Sequence, residues 1–156
     1  MEWIIYKKGV PYVIFFDEAD LEIITGINWK ISEKGYVRAS HTSKKCPPQI
    51  LLHRFLLGVF DKNIFVDHKN RNPLDNRREN LRLCTKAQNN CNKIARGSSK
   101  YLGVRYRASC KKYIATISYS GKGYWIGQFK VEEDAARAYD EAAKIHHGEF
   151  ANLNFK

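Results

Sequence analysis

The stretch Phe65-Val66-Asp67-His68-Lys69-Asn70-Arg71-Asn72-Pro73-Leu74-Asp75-Asn76-Arg77-Arg78-Glu79-Asn80-Leu81-Arg82-Leu83-Cys84-Thr85-Lys86-Ala87-Gln88-Asn89 decides how the rest of the chain is read. A short β-run, Ile64 to Val66, delivers an adjacent acid and imidazole, Asp67 and His68, to its end. The loop that follows is rich in Asn, Pro and Asp, which favour turns through their own side-chain and ring geometry. Leu81 to Cys84 reads as the returning strand, and Thr85 is placed to N-cap a helix carrying Asn89. The pattern predicts a strand-loop-strand-helix unit of about thirty residues with His68, Asn80 and Asn89 converging on one point.

Such a set suits metal-assisted hydrolysis of a phosphodiester. An imidazole with an ordinary pKa near ~6.5 can take a proton from water at neutral pH. Asp67 and Asn89 offer hard oxygen ligands, which suit Mg²⁺, an ion that keeps several waters and shares substrate phosphates. Neighbouring residues on a strand point to opposite faces, so Asp67 and His68 share a site only if the strand ends there. A lone Asp-His pair is more often a turn with a satisfied histidine, and a run of Asn also fits a loop or fraying helix. The joint spacing weighs against both.

The segment resembles the HNH endonucleases: Asp67-His68, then Asp75-Asn76-Arg77-Arg78-Glu79-Asn80-Leu81, then Asn89. That resemblance implies a ββα-metal nuclease unit with His68 as general base and Asp67 as metal-ligand acid. Asn80 corresponds to the middle Asn that braces the loop and orients the base, and Asn89 to the last letter of an H-N-N variant. Spacings of 12 from His68 to Asn80 and 21 from His68 to Asn89 resemble the phage homing branch. Asn in place of His as third letter should narrow the metal to Mg²⁺, with Mn²⁺ possible, and away from Zn²⁺. The loop arginines Arg71, Arg77 and Arg78 are expected to touch DNA.

A net charge of +11 over 156 residues points to a polyanionic partner. The excess is uneven, +1 over residues 1–48, +6 over 49–96 and +4 over 97–156, so it sits on the proposed nuclease unit and beyond. Double-stranded DNA is the expected partner. No obligate protein partner is implied, and a monomer or weak dimer is expected. No apolar run approaches a membrane span and no signal-peptide pattern opens the chain, so a cytoplasmic, non-secreted protein is expected. Cys46, Cys84, Cys91 and Cys110 form no C-x-x-C pair, which argues for reduced thiols rather than a zinc knot.

Upstream, Glu2 to Lys7 and Pro11 to Phe16 read as strands around Lys8-Gly9, and Asp17 as the cap of a short helix ending near Ile24. Trp29 to Ser32 and Gly35 to Ser40 form a hairpin, Lys44 to Pro48 a basic loop, and Ile50 to Gly58 a strand running into a helix. His53 is a candidate phosphate contact or active-site neighbour, with a packed or capping histidine the more frequent case.

Downstream, Leu102 to Arg107 alternates, placing Arg105 and Arg107 on one face and Val104 and Tyr106 on the other. Lys112 to Tyr119 follows, then a turn at Gly121-Lys122-Gly123, a strand Tyr124 to Phe129, and a helix from Glu132 to His147 stopped by Gly148. Ala135, Ala138, Tyr139, Ala142 and Ile145 are its expected packing face. Tyr101-Leu102-Gly103-Val104-Arg105, Tyr124-Trp125-Ile126-Gly127 and Ala151-Asn152-Leu153-Asn154-Phe155 resemble the Apetala-type, ethylene-response-factor DNA-binding domain. The resemblance implies DNA contacts at Arg105, Arg107 and Trp125, through a sheet in the major groove.

The expected fold is α+β: an N-terminal β-rich lead-in over 1–48, a ββα-metal nuclease domain over 49–93, a linker over 94–100, and a three-stranded antiparallel sheet on one helix over 101–156. The expected function is Mg²⁺-dependent, site-directed DNA cleavage of the homing type, nicking one strand. The alternative is a non-catalytic, sequence-specific DNA-binding regulator with a degenerate nuclease unit.

Overall fold

Glu2–Lys7 (β1), whose residues alternate between exposed and half-buried, and Val10–Phe15 (β2) form an antiparallel hairpin. Its turn is Lys8-Gly9, both with positive φ, the two-residue geometry that matches strand twist. The computed structural model describes residues 1–40, 49–92 and 98–155. The basic loop 44–48 and most of the linker over 94–100 lie outside the described residues. Contacts divide the chain into two units, Met1–Thr85 and Lys86–Lys156.

In the first unit Trp29–Ile31 (β3), Val37–Ser40 (β4) and Gln49–Leu51 (β5) form an antiparallel sheet in the order β3-β4-β5. Position 48/49, the expected start of the nuclease domain, therefore falls between two hydrogen-bonded neighbours. Leu21–Ile24 (α1) and Leu52–Leu56 (α2) cover this sheet, and Ile14, Phe16, Ile24, Trp29, Val37 and Leu52 fill one core. Phe65–His68 (β6) pairs with Leu81–Cys84 (β7), with a smaller core of Val59, Val66 and Leu81 beneath. The end of β2 grips the loop between them: Phe15 N–H donates to the Leu74 carbonyl (2.9 Å) and its carbonyl accepts from Asn76 N–H (2.7 Å). Asp17 makes no cap bond to the helix it was expected to cap; its Oδ2 accepts the Arg78 backbone N–H (2.7 Å) instead.

In the second unit Lys86–Cys91 (α3) precedes Val104–Arg107 (β8), Lys112–Tyr119 (β9) and Lys122–Phe129 (β10), an antiparallel sheet in the order β10-β9-β8. Glu132–His147 (α4) packs on one face through Ala135, Ala136, Tyr139 and Ala143 against Val104, Ala115 and Ile117. Two expectations shift. The hairpin turn is Ser120-Gly121, both with positive φ, and Lys122 and Gly123 already pair with Tyr119 and Ser118. The buried face of α4 is also rotated from the expected one: Ile145 is 78% exposed, while Asp140 lies inside. Asp140 accepts from Asn154 N–H (2.8 Å), Asn154 Nδ2 (3.0 Å) and Phe155 N–H (2.9 Å), so the C-terminal segment holds the acid inward. Gly103 has φ of +71, and a Cβ there would run into the Tyr139 ring.

Candidate active site

The hairpin register decides where each site residue goes. Asp67 stands opposite Arg82 and His68 opposite Leu81. Cross-strand partners share a face, so Asp67 lies with Arg82 and His68 on the other face. Asp67 Oδ2 accepts from Arg82 Nε (3.0 Å) and Nη2 (2.8 Å), with both side chains largely buried. Strand β6 ends on His68, one residue past the acid, and the chain turns back at once: Arg71 N–H donates to the His68 carbonyl (2.9 Å), with Arg71 at φ +64.

Asn80 staples the loop. Its Nδ2 donates to Asn70 Oδ1 (3.0 Å) and to the Asp75 carbonyl (2.7 Å), and its Oδ1 accepts Asn70 N–H (3.0 Å). Asn70 Nδ2 in turn donates to Asp75 Oδ2 (2.7 Å). Arg77 closes the other side of Asp75 through Nε and Nη2, each at 2.8 Å, and these bonds hold the Asp75 carboxyl below the usual carboxylate range. Backbone ties from Lys69 N–H to the Asn80 carbonyl (2.9 Å) finish the clamp at the foot of His68.

The His68 ring is 5% exposed and packs edge-on to the His53 ring at 4.8 Å, with Tyr36 at 6.1 Å. Burial lowers its pKa, opposed by a side-chain interaction with Asn76 and by the charges of Asp67 and Asp75. The imidazole is therefore a neutral proton acceptor at physiological pH, and Asp67, though on the other face, still acts on it. His53 is pushed further, to about 3, by burial first and then by His68 and Arg54. It stays uncharged.

Two of the loop arginines, Arg77 and Arg78, are committed to carboxylates. Arg78 Nη2 sits 2.6 Å from Asp20 Oδ1, and Arg77 holds Asp75 and reaches Glu79 at 3.2 Å. Any phosphate contact at Arg77 or Arg78 has to share the guanidinium with these acids. Arg71 is exposed. In the second unit Arg105 and Arg107 are exposed on β8, and Arg105 aligns with Ile114 and Gln128 across the sheet. Trp125, opposite Thr116, is 66% exposed, too open for a core aromatic.

The family profile described as HNH endonuclease matches residues 51–91, the segment from the end of β5 through α3. HNH endonuclease L560 of Acanthamoeba polyphaga mimivirus is 34% identical over 137 residues, which cover 85% of this chain and 69% of that protein. The chain belongs to the HNH endonuclease family. A second likeness runs to plant proteins. Ethylene-responsive transcription factor ERN3 of Medicago truncatula is 45% identical over 64 residues, and dehydration-responsive element-binding protein 2A of Arabidopsis thaliana is 44% identical over 57. These stretches make up 40% and 35% of this chain but 26% and 17% of the plant proteins, so the chain spans about a quarter of one and less of the other.

HNH nucleases generally use a divalent metal. The first unit offers Asp67 as a hard carboxylate of the kind an Mg²⁺-type ion takes, but that carboxylate is bonded to Arg82 and lies on the face of the hairpin away from His68. Among the described residues no three His, Cys, Asp or Glu side chains gather into a cluster. The other expected ligand, Asn89, lies half-buried on α3, which belongs to the second unit.

Four residues of this HNH site were not singled out by sequence reasoning. Arg82 was legible, since pairing 67 with 82 follows once the hairpin register is drawn. Asn76, fully buried beside His68, stands in the quoted loop motif with no role attached. Arg54 Nη1 and Nη2 bind the carbonyls of Ile64 and Asp61, each at 2.7 Å, and so fix the entry to β6. Tyr36 gives no local signal, because only the packed fold brings it to His68.

Proposed function

We propose that the chain is a Mg²⁺-dependent, site-directed DNA endonuclease of the free-standing homing type, with Mn²⁺ able to replace Mg²⁺. The reading rests on one observation above the others: a neutral, buried imidazole, His68, set at the end of β6 by a loop that Asn80 and Asp75 hold rigid, inside the family-matched segment. In this reading His68 takes a proton from the attacking water, and Asn80 keeps the loop and the base in place. Asp67 would serve as a metal ligand in the first unit only by sharing its carboxylate with Arg82. The ion, when bound, stabilises charge on the leaving oxygen. The products carry 5′-phosphate and 3′-hydroxyl ends, and one site per chain nicks one strand.

The C-terminal sheet holds the duplex. Arg105 and Arg107 supply guanine-edge or phosphate contacts and Trp125 an apolar one, with Arg71 a further contact from the loop. Arg77 and Arg78 act on DNA only through groups that also serve Asp75 and Asp20. A phage or other viral coding context and action in the host cytoplasm accompany this reading.

Supercoiled plasmid incubated with Mg²⁺ tests the proposal. Metal-dependent relaxation that EDTA stops and His68→Ala abolishes is expected. A second reading, a DNA-binding regulator, draws on the likeness to plant transcription factors and the low exposure of His68. Tight duplex binding without relaxation under any divalent ion would favour it.

A further inference from the structure

Helix α2 presents two consecutive residues to the nuclease hairpin, and only one has an obvious task. Arg54 ties down the residues leading into β6. His53 is 4% exposed, and its Nδ1 is enclosed with no hydrogen-bond partner. Enclosing an unpartnered ring nitrogen costs free energy, so its retention in a tightly packed place calls for a reason. The ring contacts supply one. His53 meets His68 edge to face, with centroids 4.8 Å apart and planes at 75°. Tyr36 leans on both rings, 5.6 Å from His53 and 6.1 Å from His68, so the three rings form a closed triangle.

Only one member of that triangle has a chemical task in the proposed reaction. The χ1 and χ2 of an imidazole decide where its nitrogens point, so whatever packs on the ring helps set that aim. The loop clamp fixes the His68 backbone, Asn76 meets the side chain, and His53 and Tyr36 pack on the ring. A ring packed edge-on against the imidazole restricts its rotation.

We propose that His53, backed by Tyr36, is a positioning residue that holds the His68 ring in the orientation from which it takes a proton from water. The proposal rests on the reading of His68 as general base. It assigns His53 through ring shape and contact and gives it no touch on substrate. An aromatic ring should therefore do the work, whereas a flexible polar side chain of similar size should not.

The test is plasmid nicking by the full chain at saturating Mg²⁺, with the single-turnover rate and DNA affinity measured separately and melting temperature recorded. His68→Ala, His53→Ala, His53→Phe and His53→Gln are compared. His53→Ala should slow nicking by ~10–100-fold, the scale of a misplaced catalytic group, with affinity within about twofold. His53→Phe should restore most of that loss, and His53→Gln should not. Wild-type nicking by His53→Ala, with His68→Ala inactive, overturns the positioning role and leaves the base assignment standing. Normal nicking by His68→Ala overturns the base assignment and the positioning role with it. If His53→Ala does not fold, the other pair decides: equal rates for His53→Gln and His53→Phe overturn the proposal.

Discussion

Asn70 and Asn80 bond each other twice: the Asn70 backbone N–H donates to Asn80 Oδ1 and Asn80 Nδ2 donates to Asn70 Oδ1, both at 3.0 Å. One side chain thereby reads backbone and side chain of its partner at once. Asn80→Ala removes this pair and the bond to the Asp75 carbonyl, leaving buried polar groups unpaired. A loss of about 1–3 kcal/mol in urea unfolding is expected. Nicking should fall further than stability explains, while duplex affinity stays near wild type. Unchanged nicking in a folded Asn80→Ala protein would remove the loop clamp from the mechanism.

The Arg78–Asp20 pair makes a second prediction. The acid is almost fully buried and the arginine half exposed, so truncating the arginine strands a carboxylate inside the protein. Arg78→Ala should destabilise by roughly 3 kcal/mol, and Asp20→Ala together with Arg78→Ala by less than the separate losses combined. If the guanidinium is committed to Asp20, the slope of log affinity for DNA against log salt should not change. A slope reduced by about one would instead give Arg78 a phosphate.

Acid should destabilise the first unit through its buried histidines. The folded pKa of His53, about 3, lies below the ordinary value of 6.5. Between those values the unfolded chain binds the proton and the folded one does not. Stability is thus fully present above pH 6.5 and declines as pH falls toward 3, by up to about 1.4 kcal/mol per pH unit from this group. His68 adds to the same slope, since its shift has the same sign. Chemical unfolding between pH 7.5 and 4.5 measures it, and His53→Phe should flatten the curve.

On the second unit's sheet, Trp125→Ala should leave the melting temperature within a degree or two, because the indole is mostly in water. Binding to a preferred duplex should nonetheless weaken. Arg105→Ala should weaken a preferred site more than random DNA, by ~1–3 kcal/mol if it reads a base edge. Equal losses on both would make it a phosphate contact only.

The elements legible in the sequence were those whose signal is local. The strands flanking the Lys8-Gly9 turn, the run over 112–119, and the acidic start and glycine stop of α4 needed nothing from distant residues. The Asp67-His68 motif with Asn80 was legible for the same reason, since its residues lie close together in the chain. Long-range bonding decided the rest. Asp17 left its helix for Arg78, and Asp140 turned inward to meet the 154–155 backbone. His53 looked ambiguous because its ring partners, Tyr36 and His68, come from separate elements.

The grip of Phe15 on both sides of the 74–76 loop bears on protein engineering. A graft of the matched 51–91 segment into another scaffold would leave the Leu74 carbonyl and Asn76 amide without their β2 partner, and Asp17 and Asp20 would no longer be there to receive Arg78. Such a transplant should carry the motif but not the rigidity. A cut intended to yield an autonomous cleavage cassette has to begin at the first strand.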